Sequence, residues 1–191
     1  MDKPYYVVGI DPAFGGTGLA LFKEGILTSV ELFRKKGKQP FEDRSNWLAV
    51  NVRDWLRQEF IRSDRPSFTK VGPPLIMCEI PSYQATPSRS MGWKKGDLQK
   101  LTYLVGAIGY VCSDGFWAKI RPGENSSLVK TTSIADPIYR TVTPAGWKGQ
   151  LSKEIVINRI KKRIPNVVEN FNPKLDIWDA IGIGLWTLDE F

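Results

Sequence analysis

Apolar residues fall first into short dense runs and later into spaced stripes. YYVVGI (5–10), GLALFK (18–23) and LTSVELF (27–33) are strand-like runs separated by short glycine-containing turns. Joined that tightly, they predict an antiparallel meander, because a parallel pair needs a long crossover. Over 43–61 the pattern changes to Trp47, Leu48, Val52, Trp55, Leu56 and Phe60, which is helical spacing with one face for a sheet. PLIMCEI (74–80) reads as a fourth strand, continuously apolar as in the interior of a sheet. A polar loop (81–96) leads to an apolar helix (97–112), and 114–137 reads as an exposed excursion. IYRTVTP (138–144) is a fifth strand or the end of one. A loop (AGWKGQ), a helix (SKEIVINRIKKRI), a turn and a final helix from about Pro173 follow. The pattern predicts an α/β fold, a mixed five-stranded sheet flanked by helices, in one domain spanning 1–191 with an insertion at about 114–137.

Composition narrows the chemistry more than the fold. The 191 residues contain no histidine. That excludes Ser-His and Cys-His nucleophile pairs, imidazole general bases and His-based zinc or haem sites. Catalysis must rest on carboxylates, lysines or tyrosines, or on a hard metal held by oxygen. Cys78 and Cys112 lie far apart in apolar runs and read as buried thiols. No apolar run approaches a membrane span, and a strand begins almost at once, leaving no room for a leader; a cytoplasmic location is expected.

Net charge is +7, with basic clusters at RKKGK (34–38), SRSMGWKKGDLQK (88–100) and NRIKKR (158–163). A solvated basic surface accounts for such clusters. Interleaved with Tyr83, Trp93 and Trp147, they suit a polyanion better, with cations on phosphates and rings on bases.

Acidic residues at the ends of apolar elements carry most of the signal, since an unpaired buried charge is costly. Asp11 ends the first strand and Glu79 the fourth. Asp176 and Asp179 lie in NPKLDIWDAIGIGLW, where Asn172 is placed to cap and Pro173 suits the first helical position. Their spacing of three puts both on one helix face. The stripe Trp178, Ile181, Leu185, Leu188 is expected to dock on the sheet, with Gly182 and Gly184 allowing close approach to strands. Singly, Asp11 is equally a turn residue, Asp176 a helix-start aspartate and Glu79 half of a salt bridge. Converging, the four require cations, and two hard divalent ions suit phosphodiester hydrolysis. A strand, Asp and Gly/Thr turn also opens sugar-kinase and actin-like ATP binders, but no second glycine-rich loop or lobe follows.

The segments GIDPAFGGTGLAL, LIMCEIPSY, TPAGWKGQLSKEIVINRI and LDIWDAIGIGLW together resemble the RuvC-type Holliday-junction resolvases of the RNase H-like superfamily. The resemblance runs over nearly the whole chain, in the family's motif order. It implies an RNase H-like sheet, and Asp11, Glu79, Asp176 and Asp179 as ligands of two Mg²⁺, with Mn²⁺ substituting. Lys148 and Lys153 match lysines near the scissile phosphate, although Lys153 at a helix start is also explained as a surface lysine. Tyr83 matches an aromatic wedge or is an ordinary loop tyrosine. Arg89, Lys94 and Lys95 are the expected further DNA contacts. The helix at 97–112 is similar to the family's dimer-forming helix, or is simply core. Ala13 stands where the family has glycine, which is expected to alter only the turn; the glycines that follow are expected to make that turn. The implied activity is metal-dependent nicking of four-way or other branched DNA by a homodimer in a bacterial or phage-infected cell, with phage-encoded relatives the nearer likeness. A nuclease on RNA–DNA hybrids and a non-catalytic junction binder are the alternatives.

Overall fold

The computed structural model describes residues 4–37, 39–62, 72–81, 97–113 and 137–189. Three strands form the meander: β1 (Tyr6–Asp11), β2 (Thr17–Lys23) and β3 (Ile26–Phe33). The β2–β3 hairpin turns through Glu24 and Gly25, both at positive φ (52° and 79°). That pair of left-handed residues matches the right-handed twist of a two-residue hairpin, and Gly25 adopts its share without a Cβ penalty. Helix α1 (Phe41–Arg62) follows, then β4 (Leu75–Glu79), α2 (Asp97–Ser113) and β5 (Ile138–Val142). The chain ends with α3 (Pro144–Trp147), α4 (Lys153–Arg163), α5 (Val167–Phe171) and α6 (Leu175–Thr187).

The sheet order is β3-β2-β1-β4-β5. β1 pairs antiparallel with β2 and parallel with β4, and β4 runs parallel to β5. The mixed five-stranded sheet flanked by helices is the one expected from the sequence. Alternation along the strands divides the core into two layers. Tyr6, Val8, Ile10, Leu19 and Leu21 pack beneath α1 and α2, with Leu48, Val52, Leu56 and Ile108. Val7, Ala20, Phe22 and Met77 face the other way, toward Val156, Ile160, Ile177 and Ile181. Each fully buried aliphatic contributes about 1.5–3 kcal/mol, so both layers hold the sheet.

Helix α6 lies close on β1 and β2. All four residues of its expected stripe are buried, and so are Ile177, Ala180 and Ile183. The approach depends on glycines. A Cβ on Gly9 would strike the Ala180 carbonyl oxygen, one on Gly18 the Asp176 carbonyl, and one on Gly184 the Phe22 ring. Gly184 thus does what was expected of it; Gly9 and Gly18 do the same from the strand side.

Three expectations need correction. The AGWKGQ loop contains α3, capped by Thr143, whose hydroxyl accepts from Gly146 N at 3.1 Å. The turn before the last helix contains α5. Asn172 does not cap α6 but ends α5 in the left-handed region (φ 42°), and Lys174 is the N-cap residue, so Pro173 lies outside the helix. Asparagine tolerates that conformation better than most residues. Cys78 and Cys112 are buried free thiols. Among the described residues, no helix is long and apolar enough to cross a membrane. Tyr83, Arg89, Trp93, Lys94, Lys95 and the excursion at 114–136 lie outside the described residues.

Candidate functional site

Strand directions decide where chemistry can gather. β1, β3, β4 and β5 all end on the same edge of the sheet, because β3 is antiparallel to β2 and β2 to β1. Ile10 pairs with Cys78, so Asp11 and Glu79 leave adjacent strands one residue beyond that pair. α6 begins against the same edge, with the Asp176 backbone over Gly18. Its second and fifth residues are Asp176 and Asp179. The short helix α3 follows β5 and brings Trp147 and Lys148 to the edge, and the first residue of α4 is Lys153.

Side chains from these five places meet. Lys153 Nζ donates to Asp179 Oδ2 at 2.7 Å. Lys148 Nζ stands between two carboxylates, 3.8 Å from Asp179 Oδ1 and 4.0 Å from Glu79 Oε2. Arg34 Nη2 donates to Asp176 Oδ2 at 3.1 Å. Trp147 Nε1 donates to Glu79 Oε2 at 2.6 Å. The structure therefore brings together Asp11, Glu79, Asp176, Asp179, Lys148 and Lys153, and adds Arg34 and Trp147.

Burial and like charge act on this group together. Asp11 holds its proton well above the usual carboxylate range; burial is the main cause, followed by Glu79, Asp179 and Asp176, with Lys148 opposing. Glu79 is pushed up by burial, against the Trp147 N–H and Lys148. Lys153 also sits at the first position of α4, where the helix dipole disfavours a cation by a few tenths of a kcal/mol or more; its ion pair with Asp179 offsets that.

No three acidic or cysteine side chains among the described residues are grouped so as to hold a metal ion as they stand. The chain's own cations close the cluster instead. Two features nevertheless fit a hard divalent ion. The donors are all oxygen, and Asp179 Oδ1 is buried without a hydrogen-bond partner. Displacing Lys148 and Lys153 would open Asp179 and Glu79 to such an ion.

The glycine-rich turn after Asp11 is closed on itself. Gly16 N and Thr17 Oγ1 both donate to the Ala13 carbonyl, at 3.2 and 3.4 Å. Neither Gly15 nor Gly16 has positive φ. Gly16 matters because Arg34 lies across it on the way to Asp176. Gly15 and Gly16 thus close the expected turn, and Gly16 also leaves room for Arg34. Trp147, expected as an exposed ring for bases, is 3% exposed and cannot stack on one.

No protein-family model matches the chain, and no curated protein sequence does. Solved structures do. The chain is similar to Thermus thermophilus RuvC in complex with a Holliday junction substrate, at TM-score 0.60 and 15% identity, covering 95% of this chain and 90% of that one. It is also similar to a structure of T. thermophilus RuvC, at TM-score 0.57 and 15% identity over 95% and 92% of the two chains. At that identity the likeness establishes the RNase H-like fold.

Proposed function

We propose that this chain is a divalent-metal-dependent endodeoxyribonuclease that nicks four-way junctions or other branched DNA by phosphodiester hydrolysis. One observation carries the reading: four carboxylates and two lysines converge at one sheet edge. The fold likeness to a protein solved on a Holliday junction supports the choice of substrate.

Asp11, Glu79, Asp176 and Asp179 would hold two Mg²⁺, with Mn²⁺ able to replace them. When bound, the ions supply activation of water and stabilisation of the leaving oxygen. The chain's residues do the rest. Lys148 and Lys153, released from the carboxylates, bind non-bridging phosphate oxygens. Tyr83, Arg89, Lys94 and Lys95 are further DNA contacts, Tyr83 as a wedge. Trp147 fixes the rotation of the Glu79 carboxylate by its 2.6 Å hydrogen bond.

Nicking of a synthetic four-way junction in Mg²⁺, run beside an RNA–DNA hybrid and a linear duplex, tests the reading. Junction cleavage is expected. Preference for the hybrid would make the chain a ribonuclease of the same fold, and tight junction binding without cleavage in Mg²⁺ or Mn²⁺ would make it an architectural protein.

Trp147→Phe keeps the ring and removes the N–H. A hydrogen bond to a charged group contributes about 1.5–3 kcal/mol, so the Mg²⁺ concentration giving half-maximal nicking should rise roughly tenfold or more. The rate at saturating Mg²⁺ should change less.

The homodimer belongs to the same proposal. Tyr103 and Tyr110 of α2 and Val50 of α1 are 48%, 68% and 39% exposed. They line an apolar groove of about 500 Å³ with Ala49, Gly106 and Ala107. A second copy on this face would relate two sites by a two-fold axis. Val50→Lys with Tyr110→Lys should yield a monomer in analytical ultracentrifugation and uncouple the two nicks of a junction.

A further inference from the structure

The same edge carries a feature that the nuclease reading leaves unused. β3 ends there, and the next residues, Arg34, Lys35, Lys36 and Gly37, form a basic ledge beside the carboxylates. A solvated charge run needs nothing behind it. This one is gripped from behind by Arg44 of α1, which is half-buried. Arg44 Nη2 donates to the Gly37 carbonyl at 2.7 Å and to the Lys35 carbonyl at 3.3 Å. Its Nη1 donates to the Phe14 carbonyl at 3.4 Å. One guanidinium thus ties the ledge to the turn that follows Asp11. Lys35 Nζ lies 5.3 Å from the Trp47 ring centroid, and Arg34 reaches Asp176. Lys36 is exposed.

We propose that this ledge is a second anchorage for the strand that is cut, gripping backbone phosphates about two steps from the scissile one, on the β3 side of the site. The inference rests on the nuclease reading and adds the strand's path. Adjacent strands are about 4.8 Å apart, so β3 ends roughly 10–14 Å from the ends of β1 and β4. Successive phosphates of one strand lie roughly 6–7 Å apart, because the backbone winds around the axis as it rises about 3.4 Å per nucleotide, so that is about two phosphates. Lys148 follows β5 by way of α3 and Lys153 opens α4, and both place their ammonium groups at the carboxylates themselves, on Asp179 and Glu79. The strand runs from the lysines at the carboxylates to the ledge, and Arg44 is a positioning residue that acts through the ledge.

Binding of a labelled four-way junction to the full chain, measured in Ca²⁺ against salt, tests this. Lys35→Ala with Lys36→Ala should weaken binding roughly tenfold and flatten the salt slope by about 2. The single-turnover nicking rate at saturating protein should be unchanged. A neutral methylphosphonate about two steps from the cut, on one side only, should weaken the wild type and leave the double variant indifferent. Arg44→Gln should reproduce the loss and add nothing to the double variant, with circular dichroism reporting the intact fold. Wild-type affinity and slope in the double variant would overturn the proposal. So would a methylphosphonate effect identical in both proteins, or none on either side. A wild-type chain that binds no branched DNA would sink the nuclease reading itself, and the ledge with it.

Discussion

Asp179→Asn should reduce Mg²⁺-dependent nicking by about a thousandfold, or about 4 kcal/mol of barrier, while junction binding is retained. The substitution keeps size and removes the charge. Asp179 is 8% exposed, and its Oδ1 has no hydrogen-bond partner. Lys148 and Lys153 would lose their shared counter-charge, so binding in Ca²⁺ should if anything tighten. Nicking at the wild-type rate would remove Asp179 from the site. Asp11→Asn should be comparably inactive and, without metal, more stable than the wild type. Burial and three neighbouring carboxylates push the Asp11 carboxyl well above the usual carboxylate range. A carboxyl whose folded pKa is raised costs nothing below its unfolded value of about 4, and its full penalty applies above the folded value. Thermal stability of the metal-free wild type should therefore fall as pH rises through that window. Asp11→Asn should flatten the dependence, with a melting temperature higher by about 2–4 °C for each kcal/mol relieved. Mg²⁺ should raise the wild-type melting temperature and leave that of Asp179→Asn nearly unchanged.

Gly9→Ala is the second large effect, and it runs through the fold. The new Cβ would strike the Ala180 carbonyl oxygen and come within 2.8 Å of Gly184 N. Both are backbone atoms of α6, so no side chain can move aside; the helix must retreat from β1. Overpacking of this kind costs about 1–3 kcal/mol and sometimes more, a fall of roughly 2–12 °C in melting temperature for a domain of this size. Activity should suffer beyond the loss of folded protein. α6 carries Asp176 and Asp179, while β1 carries Asp11, and a misplacement of about 1 Å costs on the order of a hundredfold in rate. Gly15→Ala is the control, because a Cβ there meets nothing within 4 Å. Equal behaviour of the two variants would refute the close-packing account.

The meander, the two sheet-covering helices and the strand-end carboxylates were legible because each is a local signal. Alternation, helical spacing and short turns are read over a few residues, and a charge ending an apolar run is conspicuous. What was illegible depended on distant partners. Nothing near Trp147 says that its N–H meets Glu79, 68 residues away; a tryptophan among polar residues reads as exposed. Gly9 and Gly18 read as strand or turn glycines, since α6, which needs them, comes at the end of the chain. Helices α3 and α5, with 4 and 5 residues, are too short for a period to register. Asn172 next to Pro173 reads as a helix start, and only the presence of α5 turns it into a helix end. Arg34 was visible as charge and Arg44 as an ordinary helix residue; their partners, Asp176 and the backbone of 35–37, come from the tertiary structure.

The parallel pairing of β1 with β4 sets a ruler. Asp11 and Glu79 spring from neighbouring strands whose separation is held by a ladder of main-chain hydrogen bonds, a spacing that side-chain chemistry does not alter. Trimming the layers above and below, for instance at Ile76 or Val8, should loosen the protein while leaving these two carboxylates the same distance apart. Tolerance to heat and turnover at low temperature are, for that half of the site, separately adjustable quantities. If the proposed nuclease activity holds, a weakened core should yield a protein that melts early yet cuts normally until it does.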